Sequence, residues 1–165
     1  MLCQANLERN GLSERAELMH ADVRDLPDDL GVFDLVTGAP PFMPIGSVVL
    51  PRDPQGAAAR FETRGGSEAY CTAASRHLAD GGRVSMLMDG SQDARVCAAF
   101  SGAGLRLTHV TMVVPRRGKR PRCGAYVAAG TRDGEEIRVH ELRVREADGA
   151  FSEEYLAVRR ELRLE

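Results

Sequence analysis

None of the four cysteines, Cys3, Cys71, Cys97 and Cys123, lies in a CxxC pair or near a histidine at metal-ligand spacing. No zinc site is expected, and unpaired thiols of this kind suit the reducing cytoplasm. Apolar runs fall far short of the roughly 20 residues needed to cross a bilayer, so no membrane partner is expected. The opening residues contain Glu8 and Arg9 and lack the apolar stretch and cleavage site of a secretory signal. Charge of one sign is also missing. With a formal net charge of −2, any attraction to nucleic acid must come from a local patch. No Gly-x-Ser-x-Gly elbow occurs, and His20, His77, His109 and His140 are scattered, which disfavours a serine hydrolase. No glycine-rich turn follows a strand and opens a helix, because Gly65-Gly66 and Gly81-Gly82 sit in other contexts.

What remains is ordinary for one folded domain. The 165 residues are 43% hydrophobic and 28% charged, enough for a single core. Leu2, Ala5 and Leu7 with Gly11 beyond them predict a short amphipathic helix. A short strand is predicted at Ala16–Ala21, and Phe33–Thr37 reads as a buried parallel strand ended by Gly38-Ala39-Pro40-Pro41. Met43–Arg64 has no sustained period and reads as a long loop, of the kind more often functional than decorative. Helices follow at Ser67–Leu78, with Ser67 as cap, and at Ser91–Phe100. Strands are expected at Arg83–Met88, Leu105–Val114 and Cys123–Ala129.

This alternation predicts an α/β fold with helices on the faces of a mostly parallel sheet and ligands beyond the carboxyl ends of its strands. The last strand pair, joined without a helix, should be antiparallel. After Gly130 an alternating stretch at Ile137–Val144 and a charged helix at Phe151–Leu164 predict a small strand–helix appendage. The expected organisation is a domain over residues 1–130 and an extension over residues 131–165.

Two segments suggest chemistry. In Thr37-Gly38-Ala39-Pro40-Pro41-Phe42, two prolines fix two φ angles and delete two amide donors at a strand's carboxyl edge. Their carbonyls and the next ring then suit a planar, amine-bearing substrate, although Pro-Pro also simply ends strands and Phe42 could fill the core. The run Arg116, Arg117, Lys119, Arg120 and Arg122, within residues 115–122, has no acid and can contact phosphates; it reads equally as a solvated turn. Arg60, Glu62 and Arg64 in the long loop can position a phosphate or pair with one another.

The Pro-Pro-Phe strand and loop resemble the Asn-Pro-Pro-aromatic signature of class I S-adenosylmethionine-dependent methyltransferases that act on amino groups. Asn6–Leu12, Ala21–Arg24 and the Pro-Pro strand fall in the order that family implies, and Arg60-Phe61, Arg76–Arg83, Gly102–Leu105 and Glu146–Ser152 are similar to the bacterial tRNA adenine-N6 methyltransferase family. The resemblance spans nearly the whole chain and implies a Rossmann-like fold, S-adenosyl-L-methionine as cofactor and methyl transfer to an exocyclic or amide nitrogen, adenine N6 in tRNA among the candidates. It places Asp22, Val23 and Gly38 at the cofactor and Ala39, Pro40, Pro41 and Phe42 at the reacting amine. RNA would lie against Phe42, Arg60, Arg64, Arg116, Arg117, Lys119 and Arg120.

Ala39 stands where the family carries Asn, so its side chain cannot accept a hydrogen from the target amine. Thr37, a backbone carbonyl or water would have to substitute, or the chain would be a non-catalytic relative that binds RNA or a partner. The family's glycine-rich turn and the acid of its second strand also have no counterpart. The sheet is therefore expected to be incomplete, through truncation or because a partner supplies the rest, and its open edge to favour self-association.

Overall fold

The computed structural model describes residues 2–46, 51–130 and 136–164. Its elements are α1 (Leu2–Arg9), β1 (Phe33–Gly38), α2 (Pro54–Arg60), α3 (Ser67–Arg76), β2 (Leu78–Asp89), α4 (Asp93–Gly102), β3 (Leu105–Arg116), β4 (Cys123–Gly130), β5 (Arg138–Arg145) and α5 (Glu153–Glu161). Short 3-10 turns lie at Ser13–Arg15, Val23–Asp25, Asp28–Leu30 and Gly90–Gln92.

The strands form one sheet in the order β1-β2-β4-β3-β5. β1 is parallel to β2, and β5 is parallel to β3. β4 lies between β2 and β3, antiparallel to both, so the other four strands share one direction. The mostly parallel α/β sheet with an antiparallel final pair is as expected. The C-terminal strand adds a fifth member beside β3, and α5 follows it, its first turn capped by the Ser152 hydroxyl, which accepts from the Tyr155 N–H.

The core lies between the sheet and two helices. Cys71 and Ala74 from α3, Val96, Ala99 and Phe100 from α4, Val84, Met86 and Met88 from β2, Leu105, Leu107 and Val110 from β3, and Tyr126 and Ala128 from β4 are its buried members. In β2 these alternate with exposed Arg83 and Leu87, so the helices cover one face of that strand, not both. Burial pushes the Cys71 thiol up to about 12, leaving it protonated and inert at neutral pH. The Tyr126 hydroxyl, also raised by burial, donates to Asp93 Oδ1 at 3.0 Å.

Several local expectations fail for tertiary reasons. Residues 16–20 form no strand, because no described strand lies alongside to complete its hydrogen bonds. Ser67 is the first helical residue of α3 rather than its cap; Gly66 occupies the cap position. β2 starts five residues early, at Leu78, with the Asp80-Gly81-Gly82 turn folded into an irregularity opposite Phe33 and Leu35. Gly82 is needed there: a Cβ would stand 2.9 Å from the Ala79 carbonyl oxygen and 3.0 Å from that of Phe33. The long loop contains α2, whose first turn is capped by the Asp53 carboxylate accepting from Gln55 N and Gly56 N.

The largest departure concerns β1. Expected to be buried, it is an edge strand with Phe33 44% and Leu35 59% exposed. No residue of α1 or of the first three 3-10 turns is buried. A compact monomer of 17.9 kDa should expose about 8,000 Å², whereas this chain exposes 11,551 Å². Part of it lies on the unpaired edge of β1, where Val32, Phe33 and Leu35 are exposed, and such an edge is a template for association. Light scattering across a dilution series is therefore expected to show concentration-dependent self-association; a strictly monomeric species with one cooperative melt would contradict this.

Candidate active site

β1 delivers its last residue, Gly38, opposite Met86 of β2, and the chain then turns through Ala39 and the two prolines. Pro40 is fully buried, while Phe42 remains 40% exposed. Among the described residues none donates a hydrogen bond to the carbonyl of Pro40 or Pro41. The next residues are held on both sides. Gln92 Nε2 donates to the Phe42 carbonyl; Met43 N donates to Arg60 O at 3.0 Å and Met43 O accepts from Glu62 N at 3.1 Å. This pins Met43 beside buried Phe61 and leaves the Phe42 ring facing outward.

Because β1, β2 and β3 share a direction, their carboxyl ends lie at the same end of the sheet. The basic run begins there. Arg116 closes β3, Lys119 N donates back to Arg116 O at 3.1 Å, and Arg122 N donates to Val113 O at 2.8 Å, making a turn of exposed cations. Pro121 seats against Gly90 at the end of β2, where a Cβ would come within 2.7 Å of the proline Cβ and 3.2 Å of its carbonyl oxygen. Arg116, Arg117, Lys119, Arg120 and Arg122 form no ion pair with a described residue. Topology alone thus brings the Pro-Pro-Phe loop and the cationic turn, some 75 residues apart in sequence, to one end of the sheet.

These are the features of a ligand end in an open α/β sheet. The fold is that of a methyltransferase. In solved structures the chain is similar to a predicted O-methyltransferase from Agrobacterium tumefaciens, with a TM-score of 0.62 and 20% identity over 92% of this chain and 67% of that one. It is also similar to a modification subunit assigned to a type I restriction enzyme from Vibrio vulnificus, with a TM-score of 0.54 and 13% identity over 99% of this chain and 39% of that one. At such identities the likeness is one of fold. The chain spans about two thirds of the first protein and two fifths of the second. No protein-family model and no curated protein matches it.

Within this methyltransferase-like fold, the residues expected at the cofactor are arranged unevenly. Val23 lines a cavity of about 190 Å³ together with Thr37, Tyr70, Phe33 and Met86, so the turn bearing it lies beside β1 and α3. Asp22 is already engaged: Oδ1 accepts from Arg24 N at 3.0 Å and Arg24 Nε at 2.9 Å, and Oδ2 accepts from Arg24 Nη2 at 2.7 Å. The Arg24 side-chain hydrogen bonds hold this carboxyl far below its usual range. Asp22 therefore caps its own turn, and an adenine amine would have to compete with Arg24. A Cβ on Gly38 would lie 3.8 Å from the Tyr70 ring. Among the described residues no glycine-rich turn joins a strand to a helix, so none of them forms a cradle for the methionine end of the cofactor. No described cluster of His, Cys, Asp and Glu could hold a metal, and no described helix is long and apolar enough to cross a membrane.

Arg60 and Arg64 are exposed at the end of α2 and just beyond it. Arg64 is near enough to Asp22 to help depress its carboxyl. Glu62 does not pair with either; it reaches Arg95 of α4. His77, one of the scattered histidines, is buried, with Nδ1 2.9 Å from the Gly31 carbonyl and Nε2 without a partner among the described residues. Gln92, which reaches the Phe42 carbonyl, and Arg95 with its partner Glu68 behind it carry no local sequence signal. Their connections span 27 to 50 positions, beyond any periodicity.

Proposed function

We propose that this chain carries the acceptor side of an S-adenosylmethionine-dependent N-methyltransferase whose substrate nitrogen is exocyclic or amide, with adenine N6 in tRNA the first candidate. One observation carries the reading: an outward Phe42 ring beside proline carbonyls that accept no hydrogen bond from described residues, at the strand ends where the basic turn also lies. The ring offers a stacking face, worth roughly 1–3 kcal/mol per base. Pro40 is fully buried here, so its carbonyl accepts one N–H of the target amine, and directs the nitrogen lone pair away from the sheet, once binding shifts the loop and uncovers it. Arg116, Arg117, Lys119 and Arg120, with Arg60 and Arg64, hold phosphates on either side. When bound, the cofactor supplies an electrophilic methyl group; Asp22, Val23 and Gly38 would hold its adenine end.

The test combines binding and transfer. S-adenosylmethionine affinity is measured by calorimetry, and transfer of a radiolabelled methyl group is measured on unmodified tRNA. Phe42→Ala should weaken RNA affinity about tenfold or more without changing cofactor affinity. Changing Arg116, Arg117, Lys119 and Arg120 together to Ala should weaken all RNAs alike and reduce the log K against log salt slope by roughly 3. An unchanged slope would remove the basic turn from the interface.

A second reading, a non-catalytic methyltransferase-like protein that binds RNA or a partner, is favoured by Asp22 being closed on Arg24 and by Ala39. RNA binding with no cofactor heat and no label transfer would select it.

A further inference from the structure

Arg95 sits at the start of α4 and spends every N–H of its guanidinium. Nε donates to Glu68 Oε1 at 2.7 Å, Nη1 to Glu62 Oε1 at 2.7 Å and to Gln92 Oε1 at 2.9 Å, and Nη2 to Glu62 Oε2 at 2.9 Å and Glu68 Oε2 at 2.7 Å. A guanidinium has five donors and no acceptor, so this fork is saturated. Three separate segments meet on it: the loop after α2 through Glu62, α3 through Glu68 and the turn before α4 through Gln92.

The contact to Gln92 has a directional consequence. Facing a group that can only donate, the Gln92 amide must turn its oxygen toward Arg95, which leaves its NH₂ to point at the Phe42 carbonyl, where it donates. Glu62 acts on the same loop from the other side, since its backbone N–H donates to Met43 O. The Glu62 side chain is only 10% exposed, so its pairing with Arg95 is partly desolvated and holds that backbone in place. Room for the junction comes from Gly66: a Cβ there would lie 2.6 Å from Glu62 Cδ and 2.8 Å from Arg95 Nη2.

We infer that Arg95 and Gln92 are positioning residues for the acceptor loop: Arg95 orients Gln92, and Gln92 with Glu62 fixes where the Phe42 ring and the Pro40 carbonyl stand. The role rests on the proposed function for its purpose, but not for its test. A lysine could keep the charge at position 95 but has three rotatable donors and no planar fork, so it cannot serve two carboxylates and an amide in this geometry.

The experiment uses hydrogen exchange by mass spectrometry on the full chain and on the variants Gln92→Glu and Arg95→Lys. Q92E keeps an oxygen for Arg95 but presents a second oxygen to the Phe42 carbonyl. R95K retains the positive charge. Both are expected to speed exchange of the Met43 amide about tenfold, while amides of β2 and β4 exchange as before. A Phe42→Trp reporter, the sole tryptophan in a chain that has none, should lose steady-state anisotropy when either change is added. Unchanged Met43 exchange and anisotropy in both variants would overturn the inference. So would acceleration spread equally over β2 and β4, the mark of general loosening. If R95K proves globally loosened, Q92E decides. Neither measurement involves methyl transfer, so a chain that binds no cofactor would sink the proposed function and leave this result standing.

Discussion

Replacing Ala39 with Asn should raise the rate of methyl transfer to an amine-bearing base by about a hundredfold, with little change in the affinity for RNA. The argument is one of charge. As the nitrogen attacks, its N–H groups become more acidic and bind acceptors more strongly than in the ground state, so an added acceptor assists the step more than the binding. Removing a single hydrogen bond of this kind typically costs about 3 kcal/mol, or some hundredfold to thousandfold in rate. Ala39 is exposed and immediately precedes buried Pro40, so an Asn side chain has room without disturbing the core. Single-turnover rates with saturating cofactor and RNA measure the effect directly. If both ligands bind and A39N transfers no faster than the parent chain, the acceptor geometry assigned to Pro40 and Phe42 is wrong. The extra acceptor acts on the chemical step, so it appears in kcat and not in KM.

Phe100→Ala should be the most destabilising single change in the core, at about 3–5 kcal/mol. Phe100 is fully buried on α4, and its ring centroid lies 6.2 Å from that of equally buried Tyr126. Truncation leaves a cavity against the sheet's inner face that its neighbours on β2 and β4 cannot collapse to fill. A domain of this size has only about 5–15 kcal/mol in total, and one with an exposed strand edge lies toward the low end. F100A is therefore expected to lose most of its cooperative transition in urea. Tyr126→Phe provides the scale: it keeps the ring and deletes only the 3.0 Å bond to Asp93, for a cost of about 1–2 kcal/mol. A midpoint for F100A at or above that of Y126F would falsify the placement of the core between α4 and β4.

The alternation of strand and helix and the antiparallel final pair were readable because each rests on neighbours within a few positions, whereas the orientation of the Phe42 ring was left open. Prolines fix φ and remove donors wherever they stand. The Ser152 cap of α5 is equally local. The Asp53-Pro54 start of α2 was a signal of the same kind, hidden inside a stretch read as loop. Local patterns could not tell that Phe33–Gly38 is an edge, because an apolar strand looks the same whether one neighbour or two lie beside it. Nor could they show that Ala16–Ala21 finds no partner strand among the described residues, or that Arg24 occupies Asp22.

The sequence by itself determined which residues can bear chemistry here: a stiff Pro-Pro-Phe corner, a cationic turn, and an alanine without an acceptor. Only the tertiary structure decided that the corner and the turn share one end of the sheet, since strand order and direction are settled by pairing across the chain. It alone brought Glu62 and Glu68 onto Arg95 and Gln92 onto the Phe42 carbonyl, because side chains collect their partners by distance in space, and 27, 33 or 50 positions along a backbone leave no trace in any periodicity.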